Sequence, residues 1–184
     1  METKEQKIIN AAFKLFHRHG YKKVTMSDVA EASGMSRPSL YASFENKEAI
    51  FSALVKMHMD NNDLEIKKIL EKKKTLKDKM EAIFDIYIIQ PAASIIDSEN
   101  GLEMLLNSSV YAPVAVSEMY AQFENHLINV IKLEMPKKSK MSAADLSRIM
   151  MLATKGLKSS AENLPQLQRM IDGLITMAIA TVGK

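Results

Sequence analysis

The chain has 184 residues, room for one medium domain or a small head on a larger core, and its 47% hydrophobic content is enough to bury one. It has no cysteine, which excludes a disulfide framework and a thiolate metal site and suits a reducing cytoplasm. Its net charge of +3 does not argue for a polyanionic partner: residues 65–79 carry seven Lys against three acids, +4 by themselves, which leaves −1 for everything else.

The first residues, METKEQK, are polar and charged and do not read as a signal peptide. An apolar-periodic helix is predicted over about residues 4–19, with Ile8, Ala11, Ala12, Leu15 and Phe16 on one face. Residues 24–51 then read VTMSDVAEASGMSRPSLYASFENKEAIF. This is two short helical patterns around a tight turn, followed by a third helix start. Thr25 with Asp28 forms a capping box for the first. Gly34 supplies the left-handed turn, and small Ala30 allows a close crossing, with Val29, Met35 and Leu40 as the wedge between the helices. Ser36 caps the second helix, whose first turn holds Pro38, and Asn46 caps the third. The second helix presents Ser36, Arg37, Ser39 and Tyr41 outward, a shape suited to a DNA major groove.

The rest is read as helix nearly throughout. A long fourth helix is predicted from Lys47 to about residue 72, and a fifth over about 75–90, stopping before Pro91. A short one covers 97–107. Pro113 opens the next, with Val116, Met119, Tyr120, Phe123, Leu127, Val130 and Ile131 at helical spacing, and Pro136 closes it. Ser142 and Asp145 form another capping box for a helix to about residue 161, and Pro165 opens a last one to about 182. No segment alternates with period two, so the fold class is all-α. The uncharged run over 173–183 is too short to cross a membrane.

From the apolar first helix (residues 8–21) through Phe51, the chain resembles the TetR family of bacterial transcriptional repressors. The resemblance rests on the Gly20-Tyr21 stop, the Thr25 start, the Gly34 turn, Leu40-Tyr41, Phe44 and Lys47-Glu48. It implies a three-helix DNA-binding head with a helix-turn-helix over residues 1–46, and a helical ligand-binding and dimerisation domain over 47–184. Arg37, Ser39 and Ser43 are then expected at base edges, where Arg pairs with guanine and Ser donates or accepts. Tyr41, Lys47 and Thr25 match positions that grip phosphates, and Ser36, presented outward at the start of the reading helix, is counted among the DNA-binding residues. Ala42 departs from the pattern, which commonly has a larger aromatic there.

The expected partners are a double-stranded operator, a small-molecule inducer of unknown identity and a second copy bound through residues 142–182. Leu167, Met170, Ile171, Leu174, Ile175, Ala178 and Val182 read as more apolar surface than a lone monomer needs. Eleven of the fourteen Met lie beyond residue 50, and Met is adaptable to varied apolar ligands. The pocket candidates implied by the family are Met57, His58, Phe84, Tyr87, Met104, Asn107, Tyr111, Met119 and Phe123, with Gln90 and His126 as further polar groups. The lysine run reads as a solvated helix end. His17 and His19, two apart, face different ways on a helix, and no spacing suggests a metal site, a cofactor or an activated nucleophile. The expected function is a ligand-released repressor. An architectural or cell-division DNA-binding protein without inducer is the alternative, and an enzyme on a helical scaffold a remote one.

Overall fold

The computed structural model describes residues 2–95 and 98–183, and every described element is a helix. In chain order these are α1 (Lys4–His19), α2 (Met26–Ser33), α3 (Arg37–Tyr41), α4 (Lys47–Leu70), α5 (Leu76–Phe84), a π-helical turn (Asp85–Ile89), α6 (Gln90–Ala93), α7 (Glu99–Tyr111), α8 (Pro113–Glu134), α9 (Ala143–Ser160) and α10 (Leu164–Val182). They gather into two compact units. One comprises Met1–Asp60 and Ile95–Met119, the other Asn61–Ser94 and Tyr120–Lys184. The sequence boundary at residues 46–47 falls at the start of α4.

In the first unit α1 packs on α2 and α7, and α2 on α3. Ile8, Ile9, Ala12 and Phe16 of α1 are buried, while Ala11 and Leu15 are half-buried. Leu40 and Phe44 join this core, as their apolar character demands.

In the second unit α10 packs on α5, α9 and the π turn. Here Pro91 does not end the helix as its sequence predicts. A proline ring clashes with the carbonyl four residues back and offers no N–H. The chain widens into the π turn ahead of it, where the Gln90 N–H reaches the Asp85 carbonyl, and helix resumes through Ala93. Consecutive Ile86, Tyr87 and Ile88 are all buried there.

Two boundaries shift modestly. The α4 helix ends at Leu70 rather than 72, and α7 runs a turn further than predicted, to Tyr111, capped by Ser98. The predicted start of α7 at Asp97 lies outside the described residues. Lys72, Lys73 and Lys74 are exposed beyond α4, while Lys67 pairs with Asp63 and Lys77 with Glu81.

The largest departure concerns α10. Leu167, Ile171, Leu174, Ile175, Ala178 and Val182 are buried within the monomer, so they complete its core rather than forming spare surface. The apolar side chains left exposed are others: Met177 on α10 at 63%, and Ile149 and Leu152 on α9 at 50% and 52%.

Candidate nucleic-acid interface

The interface is built by local capping. The Thr25 hydroxyl accepts the Asp28 N–H at 3.3 Å, and the Asp28 carboxylate accepts the Thr25 N–H at 2.8 Å. The Thr25 N–H, and after it the Thr25 hydroxyl donating to the same carboxylate at 2.8 Å, hold the Asp28 carboxyl below the usual carboxylate range. Two otherwise orphaned N–H groups are thereby satisfied at the start of α2. Gly34 ends α2 with φ 69°, and its N–H reaches the Ala30 and Glu31 carbonyls. A side chain meets nothing within 4 Å there, so the left-handed backbone alone demands glycine. The Ser36 hydroxyl accepts the Ser39 N–H at 3.3 Å and starts α3. Asn46 starts α4 by accepting the Ala49 N–H at 2.8 Å.

These caps set α3 outward. Ser36, Arg37 and Tyr41 are exposed, as is Thr25, and Ser39 is half-buried. Ser43 lies beyond α3 in the following turn, because the helix stops at Tyr41, and it is half-buried. One contact had no signal in the sequence: Lys4 Nζ donates to the Ser39 carbonyl at 2.8 Å and ties the start of α1 to α3.

Lys47 is not a free ammonium. Its Nζ donates to the carbonyls of Tyr21 at 2.7 Å and Val24 at 2.9 Å, and lies 4.4 Å from the centre of the Tyr21 ring. It therefore clamps the segment that leads into Thr25. The Tyr21 hydroxyl donates to Glu48 at 3.0 Å, and its ring stacks on Tyr111 with centroids 3.8 Å apart. The Tyr111 hydroxyl in turn donates to Glu103, and burial, followed by that carboxylate, pushes it up to about 12. Tyr111 thus fills a packed aromatic cluster around the base of α4. Only the Gly20-Tyr21 pair hinted at it in the sequence, and nothing marked Glu103.

The remaining pocket candidates divide between the units. Met57, His58, Met104, Asn107 and Met119 belong to the first, with Met104 buried, His58 exposed and the Asn107 amide donating to the Glu103 carbonyl at 2.8 Å. Phe84, Tyr87 and Phe123 come together in the second. Phe84 and Phe123 meet edge to face at 5.1 Å, and Tyr87 lies 5.7 Å from both Phe123 and His126. The Tyr87 hydroxyl donates to Gln122 at 3.1 Å, and His126 Nε2 sits 3.1 Å from Asp63, which also takes Lys67 Nζ at 2.6 Å. The Lys67 bond, foremost, lowers the Asp63 carboxyl, while burial lowers His126 against the pull of Asp63. The sequence named Tyr87 and His126 but missed Asp63, whose partner lies 63 positions away.

Residues 8–54 match the family described as bacterial regulatory proteins, tetR family. Among curated proteins, the chain is 42% identical over 52 residues to the HTH-type transcriptional repressor ComR of Escherichia coli (strain K12), which is 28% of this chain and 25% of that protein. The chain thus spans about a quarter of the length of this relative. Among solved structures, the fatty acid degradation regulator FadR from Bacillus halodurans superposes with a TM-score of 0.75 at 17% identity, covering 95% of each chain. The transcriptional regulator FadR from Bacillus subtilis, in complex with stearoyl-CoA, has a TM-score of 0.67 at 18% identity, over 96% of this chain and 95% of that one. At such identities the likeness establishes the fold. No described helix is long and apolar enough to cross a membrane.

Proposed function

We propose, for a chain that belongs to the tetR family of bacterial regulatory proteins through residues 8–54, that it is a transcriptional regulator that binds an operator as a homodimer and leaves it when a small molecule binds. The observation that carries the reading is the capped α2–Gly34–α3 unit, with Arg37 and Tyr41 exposed on a helix anchored by buried Leu40. Arg37 and Ser39 meet base edges. Thr25, Ser36 and Tyr41 hold phosphates and register, joined by Ser43, which lies past the end of α3 rather than on the helix expected to reach base edges, since phosphate contacts position and base contacts specify. Lys47 acts through the Tyr21 and Val24 carbonyls, holding the start of α2 where Thr25 can reach a phosphate.

The dimer uses α9 and α10 through the surface the monomer leaves over: Ile149, Leu152 and Gly156 on one helix, Gly173, Met177 and Ala180 on the other. Gly156 and Gly173 meet nothing within 4 Å where a side chain would point. Each costs about 1 kcal/mol relative to Ala in a helix interior, and the close approach of a second copy gives that cost a reason. Ligand responsiveness is supported by the stearoyl-CoA bound to the FadR of Bacillus subtilis. It requires that the ligand favour one of two states of the protein. Head over residues 1–46 and effector domain over 47–184 remain the working division.

Selection of bound duplexes from a random pool tests the reading. An inverted repeat should emerge, with half-sites about one helical turn or a multiple of it apart, because a two-fold dimer mirrors its operator. Recovery of unrelated sequences would favour a non-specific architectural protein.

A further inference from the structure

The second unit carries a groove of about 470 Å³ between the end of α4, the α5–π turn segment and α10. Its floor is apolar: Phe84, Ile86, Ile171 and Ile175 are nearly or fully buried, and Ile69 and Ile89 are half-buried at its sides. The volume falls within the range of small-molecule sites, about 300–1,000 Å³. None of the aromatic candidates named from the sequence lines it except Phe84.

The rim is charged and unbalanced. Glu81, Asp85 and Asp172 line it against a single cation, Lys73, a difference of two negative charges. Glu81 is partly answered by Lys77 at 3.5 Å, and Asp85 accepts the Gln90 amide at 2.8 Å. Asp172 has no ion pair among the described residues. Apolar floor and acidic rim together recognise an apolar body that carries positive charge, and reject an anion of the same bulk.

Two further features set the groove apart. One wall is the π turn itself, through Asp85, Ile86 and Ile89, and π turns inside helices are frequent at functional sites. The groove also lies away from the proposed dimer surface. Around α10, Gln168 lies about 120–180° from Gly173, Met177 and Ala180, and Asp172 about 80–140° from them, so a second copy docked on that stripe approaches Asp172 from the side and leaves the Gln168 side of the groove open.

We propose that this groove is a binding site for a lipophilic organic cation of drug size, with Asp172 as its principal counter-charge. The proposal rests on the ligand-responsive reading above only for its consequence, release of DNA; binding itself stands apart from it. Titration calorimetry on the full-length chain without DNA, with tetraphenylphosphonium and dodecanoate as probes, tests it. The phosphonium should bind one per chain and dodecanoate should not. Asp172→Asn should weaken the phosphonium at least about fivefold, and Ile89→Trp, which puts a larger ring into the groove from a half-buried side wall, should abolish binding while the circular dichroism is kept. Absence of phosphonium binding, preference for dodecanoate, or unchanged affinity in both variants would overturn the assignment. Because no DNA is present, a chain that fails to bind an operator can still bind the cation, so the two readings fail separately.

Discussion

Replacing Lys47 by Met separates a clamp from a phosphate grip. Methionine matches the apolar stem of lysine in length and packing but removes the ammonium. The carbonyls of Tyr21 and Val24 lose bonds of 2.7 and 2.9 Å, and both residues are buried. Hydrogen bonds to charged groups contribute about 1.5–3 kcal/mol each when shielded. Lys47 is half-buried, so water replaces part of what is lost, and the low end applies. Loss of its approach to the Tyr21 ring adds about 0.5–1 kcal/mol. Two bonds at that low end and the ring contact together come to about 3.5–4 kcal/mol. For a chain of this size that lowers the melting temperature by about 7–16 °C. Thermal unfolding followed by circular dichroism reads the shift, and Lys47→Arg should restore part of it. The salt dependence of duplex binding separates the two roles. A direct phosphate contact would lower the slope by about one unit, whereas a clamp leaves the slope nearly unchanged while weakening binding at every salt concentration. An unaltered melting temperature together with a slope lower by one unit would refute the clamp.

Three further expectations follow from the packing. Asp28→Ala should destabilise the protein at neutral pH. The depressed Asp28 carboxyl contributes stability above the ordinary Asp value of about 4, and that contribution is lost as pH falls through the folded value, so melting curves of the two proteins should converge below about pH 4. Leu152→Glu with Met177→Glu should give a folded monomer by light scattering, because both side chains are exposed in the monomer; a dimer that persists would place the seam elsewhere. Phe123→Ala, which empties the contacts with Phe84 and Tyr87, should cost about 3–5 kcal/mol in denaturant unfolding, and a much smaller loss would mean the site collapses or admits water.

What the sequence reveals here is set by range. The caps at Thr25, Ser36, Asn46 and Ser142, and the Gly34 turn, act over three or four residues, so their signatures are contiguous and the structure forms each of them. Prolines 113, 136 and 165 bound helices as predicted because each sits at a helix edge. Pro91 misleads because tertiary packing buries Ile86, Tyr87 and Ile88 together and favours a widened turn over a break. Periodicity identifies apolar faces but not what covers them, which is why the apolar stripe of α10 reads equally as dimer seam or monomer core. The partners of Lys47, Tyr111 and Asp63 are 23 or more positions away or, like Glu103, carry no local mark, so their contacts were not legible.

In the proposed complex α3 reads DNA through Arg37. Anisotropy titration of the duplex recovered by selection, with wild type and Arg37→Ala side by side and each base pair varied in turn, tests it most directly. Arg37→Ala should lose about 1–3 kcal/mol, roughly 5- to 150-fold, with discrimination relaxed at one position of each half-site. Equal affinity of the two proteins for the selected duplex and all its single-base variants would contradict it.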